Sequence, residues 1–280
     1  MLCRDQITRK LNSLGFTPLA LPRSNIAPLD LYHRGAGILH YFGNIRDVFL
    51  TAPTLPPDLK SGDAPTISGQ STGKLSLNLG LNLLDRVVTA MGGSSAGLEA
   101  KYGSAKRMVF EFRDVVTDYI AVAQLDGFLS DTDIRPGVKR TRELLDHEDV
   151  FVVTATLKTK KLVVTSFSSD NTELSLDPGP LQEAVGGEVT VKASGANSTR
   201  LTYEGKHELI FAIQTVRLGY EDDIYKTFVA DAPRRYAVAS TAMGWAEQYA
   251  DIPNLTAAHH LELLTTGLAQ IADPLSESNK

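Results

Sequence analysis

The spacing of apolar residues changes its period partway through residues 74–91. Five leucines alternate with serine, asparagine and glycine, at Leu75, Leu77, Leu79, Leu81 and Leu83. On an α-helix, which turns about 100° per residue, every second leucine would point to a different side, whereas in a strand all five share one face. We therefore predict a strand over residues 74–82. The spacing of Leu84, Val87 and Met91 is helical and predicts a helix over residues 83–91.

Elsewhere the pattern predicts helices and strands without an internal repeat. Ile7, Leu11 and Leu14 share one face of a helix that ends at Gly15. Prolines between residues 16 and 46 predict extended segments joined by turns, with a strand near residues 37–42. The remaining predictions, in chain order, are a loop over residues 52–73, a strand over 106–112, a helix over 130–148, two strands with a turn near Lys158–Lys161 within 149–169, a short helix within 177–187, a hairpin over 187–205 and a buried strand over 208–220.

The C-terminal end of the chain has a different character. Residues 248–255 contain a proline and turn-forming residues, and a short amphipathic helix follows them. Its apolar stripe consists of Leu261, Leu264, Leu268 and Ile271, and Pro274 ends it. This pattern predicts a helix that a flexible connection tethers to the rest of the protein.

Composition and charge narrow the class of protein. The chain has 280 residues, of which 42% are hydrophobic and 22% charged, and these values are ordinary for a soluble globular protein. Its net charge of −5 argues against a general nucleic-acid-binding protein, which usually carries a basic excess. No apolar run reaches the roughly 18 residues of a membrane-spanning helix, and polar residues interrupt any signal peptide. We therefore expect a cytoplasmic protein that binds no nucleic acid.

Two motifs match patterns of catalysis or metal binding. Residues 69–73 fit the G-x-S-x-G pattern of hydrolases with a serine nucleophile, here Ser71. That motif needs a helix directly after the serine, whereas the alternation that follows predicts a strand, so a hydrolase using Ser71 is kept only as an alternative. On a helix, His259 and His260 point about 100° apart. Together with Glu262 they do not form a metal site, and we expect neither a metal nor a catalytic residue.

The single cysteine, Cys3, lies directly ahead of the first predicted helix. It cannot form an internal disulfide, so the fold does not depend on an oxidising compartment. A cysteine beside an amphipathic helix, here with Arg4, Arg9 and Lys10 nearby, is a typical position for reversible S-acylation. Two interpretations stay open. Cys3 is either an inert small hydrophobic residue or an acyl anchor, which would also suit a lipidated, non-enzymatic binding or scaffold protein.

Several predicted strands have one apolar face and one polar face. A membrane β-strand needs about 9–11 residues with this alternation. Segments 73–84, 149–158, 160–169 and 187–193 approach the pattern, although the last is short. Together with Cys3 and the tethered C-terminal helix, they predict a protein that moves from water into a membrane.

Over nearly its whole length the chain resembles the bacterial gasdermins. The resemblance lies in MLCRDQITRKLNSLGF, in the proline-spaced LALPRSNIAPLDLYHR, in STGKLSLNLGLNLLDRVVTAMGG, and in a short tail in place of a large C-terminal domain. It implies an α+β fold, with a central twisted, mainly antiparallel sheet, surrounding helices and a short C-terminal helical tail. On this basis residues 1–246 form a pore-forming body and residues 247–280 an autoinhibitory segment.

The resemblance also implies a function, that of a non-enzymatic, pore-forming effector of antiphage cell death that is a monomer at rest. A caspase-like or other protease, encoded nearby, would cut between about Ala246 and His260, and the freed bodies would assemble as a homo-oligomeric β-barrel among inner-membrane lipids. A palmitoyl group on Cys3 would be the only attached group. The expected site residues are Cys3 for lipidation, Leu75, Leu77, Leu79, Leu81 and Leu83 for membrane insertion as a strand, and Leu261, Leu264, Leu268 and Ile271 for contacts of the tail with the body.

Overall fold

The computed structural model describes residues 6–35, 38–50, 55–135, 143–145, 150–195, 199–221 and 224–228. The helices are α1 (Gln6–Ser13), α2 (Ile45–Val48), α3 (Gly73–Ala90), α4 (Leu98–Tyr102), α5 (Val122–Ser130) and α6 (Pro178–Val185). The strands are β1 (Thr17–Arg23), β2 (Asp30–Gly35), β3 (Ile38–Asn44), β4 (Lys60–Asp63), β5 (Ile67–Thr72), β6 (Arg107–Arg113), β7 (Val116–Tyr119), β8 (Val150–Phe167), β9 (Val189–Ser194), β10 (Arg200–Glu221) and β11 (Ile224–Phe228).

One sheet contains all eleven of these strands, and their pairings are antiparallel. The long strands β8 and β10 pair with each other at its centre. Strand β8 also pairs with β2, β6 and β7, while β10 also pairs with β1, β9 and β11. The predicted α+β fold with a central, mainly antiparallel sheet is therefore confirmed.

Four neighbouring strands, β5, β6, β8 and β10, form a ladder whose regular pairing stops at one end. At that end Thr72 pairs with Arg107, Arg107 with Phe167, and Arg200 with Thr165. Two connections leave the ladder there. We call residues 73–106, between β5 and β6, the first insert, and residues 168–199, between β8 and β10, the second insert.

The main apolar cluster lies between the two inserts and one face of the ladder. In β6 the burial alternates as predicted, with Met108, Phe110 and Phe112 inside. Helix α1 also packs into this cluster through Ile7 and Leu11, and it ends before Gly15, whose φ of 80° is easy only for glycine. A second cluster packs α2 and α5 against β2 and β8.

The predicted strand over residues 74–82 is wrong, because helix α3 extends over the whole of Gly73–Ala90. From Gly80 to Met91, the residue after the helix ends, the buried positions follow helical spacing, at Gly80, Leu84, Val87, Val88 and Met91. Leucine is among the best helix formers, and residues 74–84 include no β-branched or aromatic side chain that would favour a strand. Intrinsic propensity therefore decides the conformation of this segment in the structure, although the alternation of leucines is real.

The predicted turn near Lys158–Lys161 is also wrong, because β8 continues through it as one strand of 18 residues. The ammonium nitrogen of Lys158 lies 2.7 Å from Asp118 and 3.0 Å from Glu208, on the strands to either side. Partial burial alone would lower the pKa of Lys158, but the hydrogen bonds to these two carboxylates outweigh it and raise that pKa. This lysine-rich stretch resembles a turn in sequence, but partners that are distant in sequence hold it in the sheet.

Two further predictions need correction. The expected loop over residues 52–73 contains β4 and β5, because polar residues are tolerated at the edge of a sheet, and among the described strands β5 pairs with β6 alone. The expected helix over residues 130–148 is not helical at residues 131–135, where Ile134 forms a bridge with Phe49, although residues 143–145 are helical. The strand over 106–112 and the helix within 177–187 are confirmed by β6 and α6, and the hairpin over 187–205 by β9 and the start of β10. The residues of the buried strand over 208–220 are also in a strand, but they continue β10 rather than form a separate strand.

Candidate functional site

The predicted site residues divide into those the structure describes and those outside it. Cys3, the region between Ala246 and His260, and the tail residues Leu261, Leu264, Leu268 and Ile271 lie outside the described residues, as does Glu262. Leu75, Leu77, Leu79, Leu81 and Leu83 all belong to α3. Leu81 and Leu83 are half-buried against the main apolar cluster.

The first insert folds as two helices that pack into the main apolar cluster. Helix α3 ends at Ala90, and Gly92, with a φ of 86°, turns the chain away. Helix α4 then buries Leu98 and Tyr102 completely, while Glu99 is exposed. The insert is therefore amphipathic, and its apolar side forms much of the main cluster.

Within the second insert one glutamine joins helix α6 to strand β9. The side-chain amide of Gln182, in α6, donates to the carbonyl oxygens of Val189 at 2.8 Å and Gly186 at 3.1 Å. Its side-chain oxygen accepts from the backbone amide of Val191 at 2.7 Å. Because Val189 and Val191 belong to β9, these bonds fix α6 to that strand.

The two edges of the ladder differ: other strands pair with the outer edge of β10, whereas β5, at the opposite edge, pairs with β6 alone among the described strands. The outer edge of β10 pairs with β9 over Arg200–Gly205, with β1 near residues 210–213 and with β11 over residues 217–221. At the end where the inserts begin, the guanidinium carbon of Arg107 lies 3.8 Å from the centroid of the Phe167 ring. Sheet edges are sites where further chains add, so β9 blocks such addition at the end of β10 next to the inserts.

The serine-hydrolase motif does not form a nucleophile elbow. A helix does follow it, since α3 begins at Gly73, so the expected absence of a helix was wrong. Ser71, however, lies within β5 opposite Met108, in regular strand pairing. The motif requires the serine in the sharp turn between strand and helix, and the register therefore argues against this alternative.

In the described part of the chain, no three or more histidine, cysteine, aspartate or glutamate side chains are grouped closely enough to hold a metal ion. In the same residues, no helix combines the length and apolar character that crossing a membrane requires.

The inserts also contain features that the sequence analysis missed. Tyr102 and Gln182 make buried or part-buried polar contacts that connect an insert to a strand. The sequence around Tyr102 does contain a pattern, because Ala96, Leu98, Ala100 and Tyr102 alternate with glycine and charged residues. The apolar positions have the same even numbering as those of β6, but Leu98–Tyr102 form helix α4 in the structure.

Comparison with known proteins supports the fold first. A solved structure of a bacterial gasdermin from Bradyrhizobium tropiciagri matches with a TM-score of 0.56, covering 81% of this chain and 93% of the other. The two sequences are 16% identical, so this match concerns the fold alone.

Sequence comparison then identifies the family. The model of the Bacterial Gasdermin Family matches residues 19–227. A gasdermin bGSDM from a Desulfuromonadales bacterium is 37% identical over 227 residues, which cover 80% of this chain and 85% of the relative. Another, from Lysobacter enzymogenes, is 31% identical over 228 residues, covering 80% and 84%. The chain therefore belongs to the bacterial gasdermin family, whose members are pore-forming proteins.

Proposed function

We propose that this chain is an autoinhibited pore former that acts in antiphage cell death. A body of residues 1–246 stays monomeric in the cytoplasm while the segment of residues 247–280 inhibits it. A protease, caspase-like or other and encoded nearby, cuts between about Ala246 and His260. The freed bodies then assemble in the inner membrane as a β-barrel, without enzymatic activity.

The register of β5 and β6 carries the proposal. These strands pair regularly from Ile67 with Phe112 to Thr72 with Arg107, and the first insert joins their ends. The insert holds 34 residues, from 73 to 106. As a hairpin in continuous register it provides about 16 residues in each arm, more than the 9–11 or so that a membrane strand needs.

Over residues 76–83 and 96–103 the same register keeps each face of that hairpin uniform in chemistry. Residues directly opposite each other in an antiparallel pair point to the same face. Continuing the β5–β6 pairing outward places Leu77 opposite Tyr102, Leu79 opposite Ala100, Leu81 opposite Leu98 and Leu83 opposite Ala96. The other face then carries Ser76 with Gly103, Asn78 with Lys101, Gly80 with Glu99 and Asn82 with Gly97. The first face suits lipid and the second a water-filled lumen.

A hairpin in lipid requires an oligomer. Every backbone N–H and C=O group inside a bilayer must be paired, so the strands must close into a barrel. In the resting chain β9 covers the end of β10 nearest the inserts, and β5 pairs with β6 alone among the described strands. Displacement of β9 would let the β5 edge of one copy pair with the β10 edge of the next, which gives a head-to-tail ring.

The inhibitory step is assigned to the C-terminal helix. Burying Leu261, Leu264, Leu268 and Ile271 against the body would contribute roughly 6–12 kcal/mol before the entropy of ordering. Cleavage turns this intramolecular contact into a bimolecular one, so the high effective concentration of the helix is lost. A palmitoyl chain on Cys3 would add membrane affinity of about 0.8 kcal/mol for each buried CH₂ group.

Probes on the first insert test the proposed hairpin. In a Cys3→Ala background, Leu79→Cys and Leu81→Cys place an environment-sensitive dye on the expected lipid face, and Asn78→Cys and Asn82→Cys place it on the lumen face. After cleavage on vesicles we expect spin-labelled lipids to quench positions 79 and 81 and aqueous iodide to quench positions 78 and 82. Quenching that follows the helical period, or that is the same at all four positions, would contradict the hairpin.

A further inference from the structure

The end of α3 fits against the second insert with no room for a side chain. The backbone amide of Ser94 donates to the carbonyl oxygen of Val185 at 2.8 Å. A Cβ atom on Gly93 would lie 2.8 Å from the side chain of Val189 and 2.9 Å from both that carbonyl oxygen and the side chain of Val88. Real Cβ atoms essentially never approach other atoms within 3.0 Å, so only glycine fits here.

A second contact of the same kind joins α3 to β10. A Cβ atom on Gly205 would lie 2.9 Å from Cγ of Met91 and 3.2 Å from its Cβ. Gly205 pairs with Val189 at the end of the β9–β10 register, so this contact lies beside the first one. Neither Gly93 nor Gly205 has a positive φ, and glycine is therefore needed at both positions for space rather than for backbone conformation.

We propose that the two inserts form one mutual clasp, in which each holds the other in its resting conformation. Val88, Met91, Val185 and Val189 are all buried in the main apolar cluster, and the close contacts at Gly93 and Gly205 bring the end of α3 against the second insert and β10. Neither insert can leave without exposing the apolar side of the other. This coupling rests on the proposed function where it concerns pore formation, because both inserts must be released before the ladder can lengthen.

Through Gln182 and β9, the close contact at Gly93 is linked to the outer edge of β10. Gln182 connects α6 to β9, so a displacement of Val185 also acts on β9. Strand β9 in turn covers the outer edge of β10 over Arg200–Gly205. Release of α3 therefore weakens the cover on the edge that a second copy would use, and one event both frees the first insert and opens the oligomerisation edge.

Three glycine substitutions test this coupling by hydrogen exchange of the intact, uncleaved protein. Gly93→Ala forces the backbone of Val185 away, and we expect the amides of both α3 and β9 to exchange about 10-fold faster or more, by similar factors. Gly205→Ala gives a smaller increase at the same amides, because the flexible side chain of Met91 can move. Gly127→Ala, in α5, is the matched control, since a Cβ there meets nothing within 4 Å.

Each outcome decides a separate point. Faster exchange in only one insert, or the same increase with Gly127→Ala, overturns the clasp. If Gly93→Ala does not fold, Gly205→Ala supplies the same comparison with a milder change. Exchange needs neither cleavage nor vesicles, so a clasp that opens as expected in a protein that never permeabilises vesicles would contradict the proposed function and leave the clasp intact. If both proposals hold, cleaved Gly93→Ala permeabilises vesicles several-fold faster than the cleaved parent.

Discussion

The phenolic oxygens of Tyr102 and Tyr203 lie 2.8 Å apart, and both side chains are fully buried in the main apolar cluster. Tyr102 belongs to the first insert and Tyr203 to the central strand β10. The bond is therefore a polar connection between a segment that we propose to move and a strand that stays. Buried hydroxyls need a partner, so the two groups depend on each other.

This dependence predicts a non-additive pair of mutations. Tyr102→Phe and Tyr203→Phe each leave one buried hydroxyl without its partner and should lower the free energy of unfolding by about 1–3 kcal/mol. The double variant removes both hydroxyls, and its loss should be smaller than the sum of the single losses. Urea unfolding measures all three, with Tyr41→Phe, whose side chain is half-exposed, as the control. Strictly additive losses would show that the hydroxyls are not coupled.

The same pair predicts a loss of stability at alkaline pH. Burial raises the pKa of Tyr203 to about 12 and raises the pKa of Tyr102 well above its ordinary value of 10.0. Because the folded state holds these protons more tightly than the unfolded state, their contribution is fully present below pH 10. It is lost as the pH rises toward 12, by about 1.4 kcal/mol per pH unit for each tyrosine.

Unfolding in urea at pH 8, 10 and 11 checks this expectation. The parent protein should lose stability above pH 10, and the Tyr102→Phe/Tyr203→Phe double variant should lose it less steeply. Equal slopes for the two proteins would mean that other groups cause the alkaline loss.

Acylation of Cys3 gives a third prediction. Intact-mass analysis of the protein from its native host should reveal an added acyl chain that is absent in Cys3→Ala. Since each buried CH₂ group contributes about 0.8 kcal/mol to membrane binding, cleaved Cys3→Ala should also bind vesicles more weakly. An unmodified mass for the parent protein would return Cys3 to the role of an ordinary thiol.

Whether an element can be predicted from the sequence depends on whether the residues that stabilise it are near or far along the chain. Local patterns were sufficient for α1, β6 and α6, whose apolar spacing and turn residues are read within a few positions. Lys158 resembles a turn residue because its partners, Asp118 and Glu208, lie 40 and 50 residues away. Contacts of that range leave no signal in a single sequence.

The leucine stretch shows a different limit. Its alternation describes one face of a strand, yet the same residues form a helix in the resting chain, since leucine favours a helix and the main cluster buries Leu84 and Val88. The proposed membrane hairpin would use the alternation, whereas the structure displays the helix. The clasp at Gly93 could not be predicted at all, because a glycine reveals its close contacts only in three dimensions.

Removal of the C-terminal segment should turn this chain into a membrane pore. The most direct measurement is dye release from liposomes by full-length protein with a site for a specific protease introduced near residue 251. The same protease with the unmodified chain controls for stray cleavage. Ser71→Ala in the cleavable protein tests the hydrolase alternative and should leave leakage unchanged.

We predict no release from the intact protein and rapid release after cleavage. Leakage by the uncleaved chain would contradict autoinhibition by residues 247–280. A cleaved body that stays monomeric and releases no dye would contradict pore formation itself.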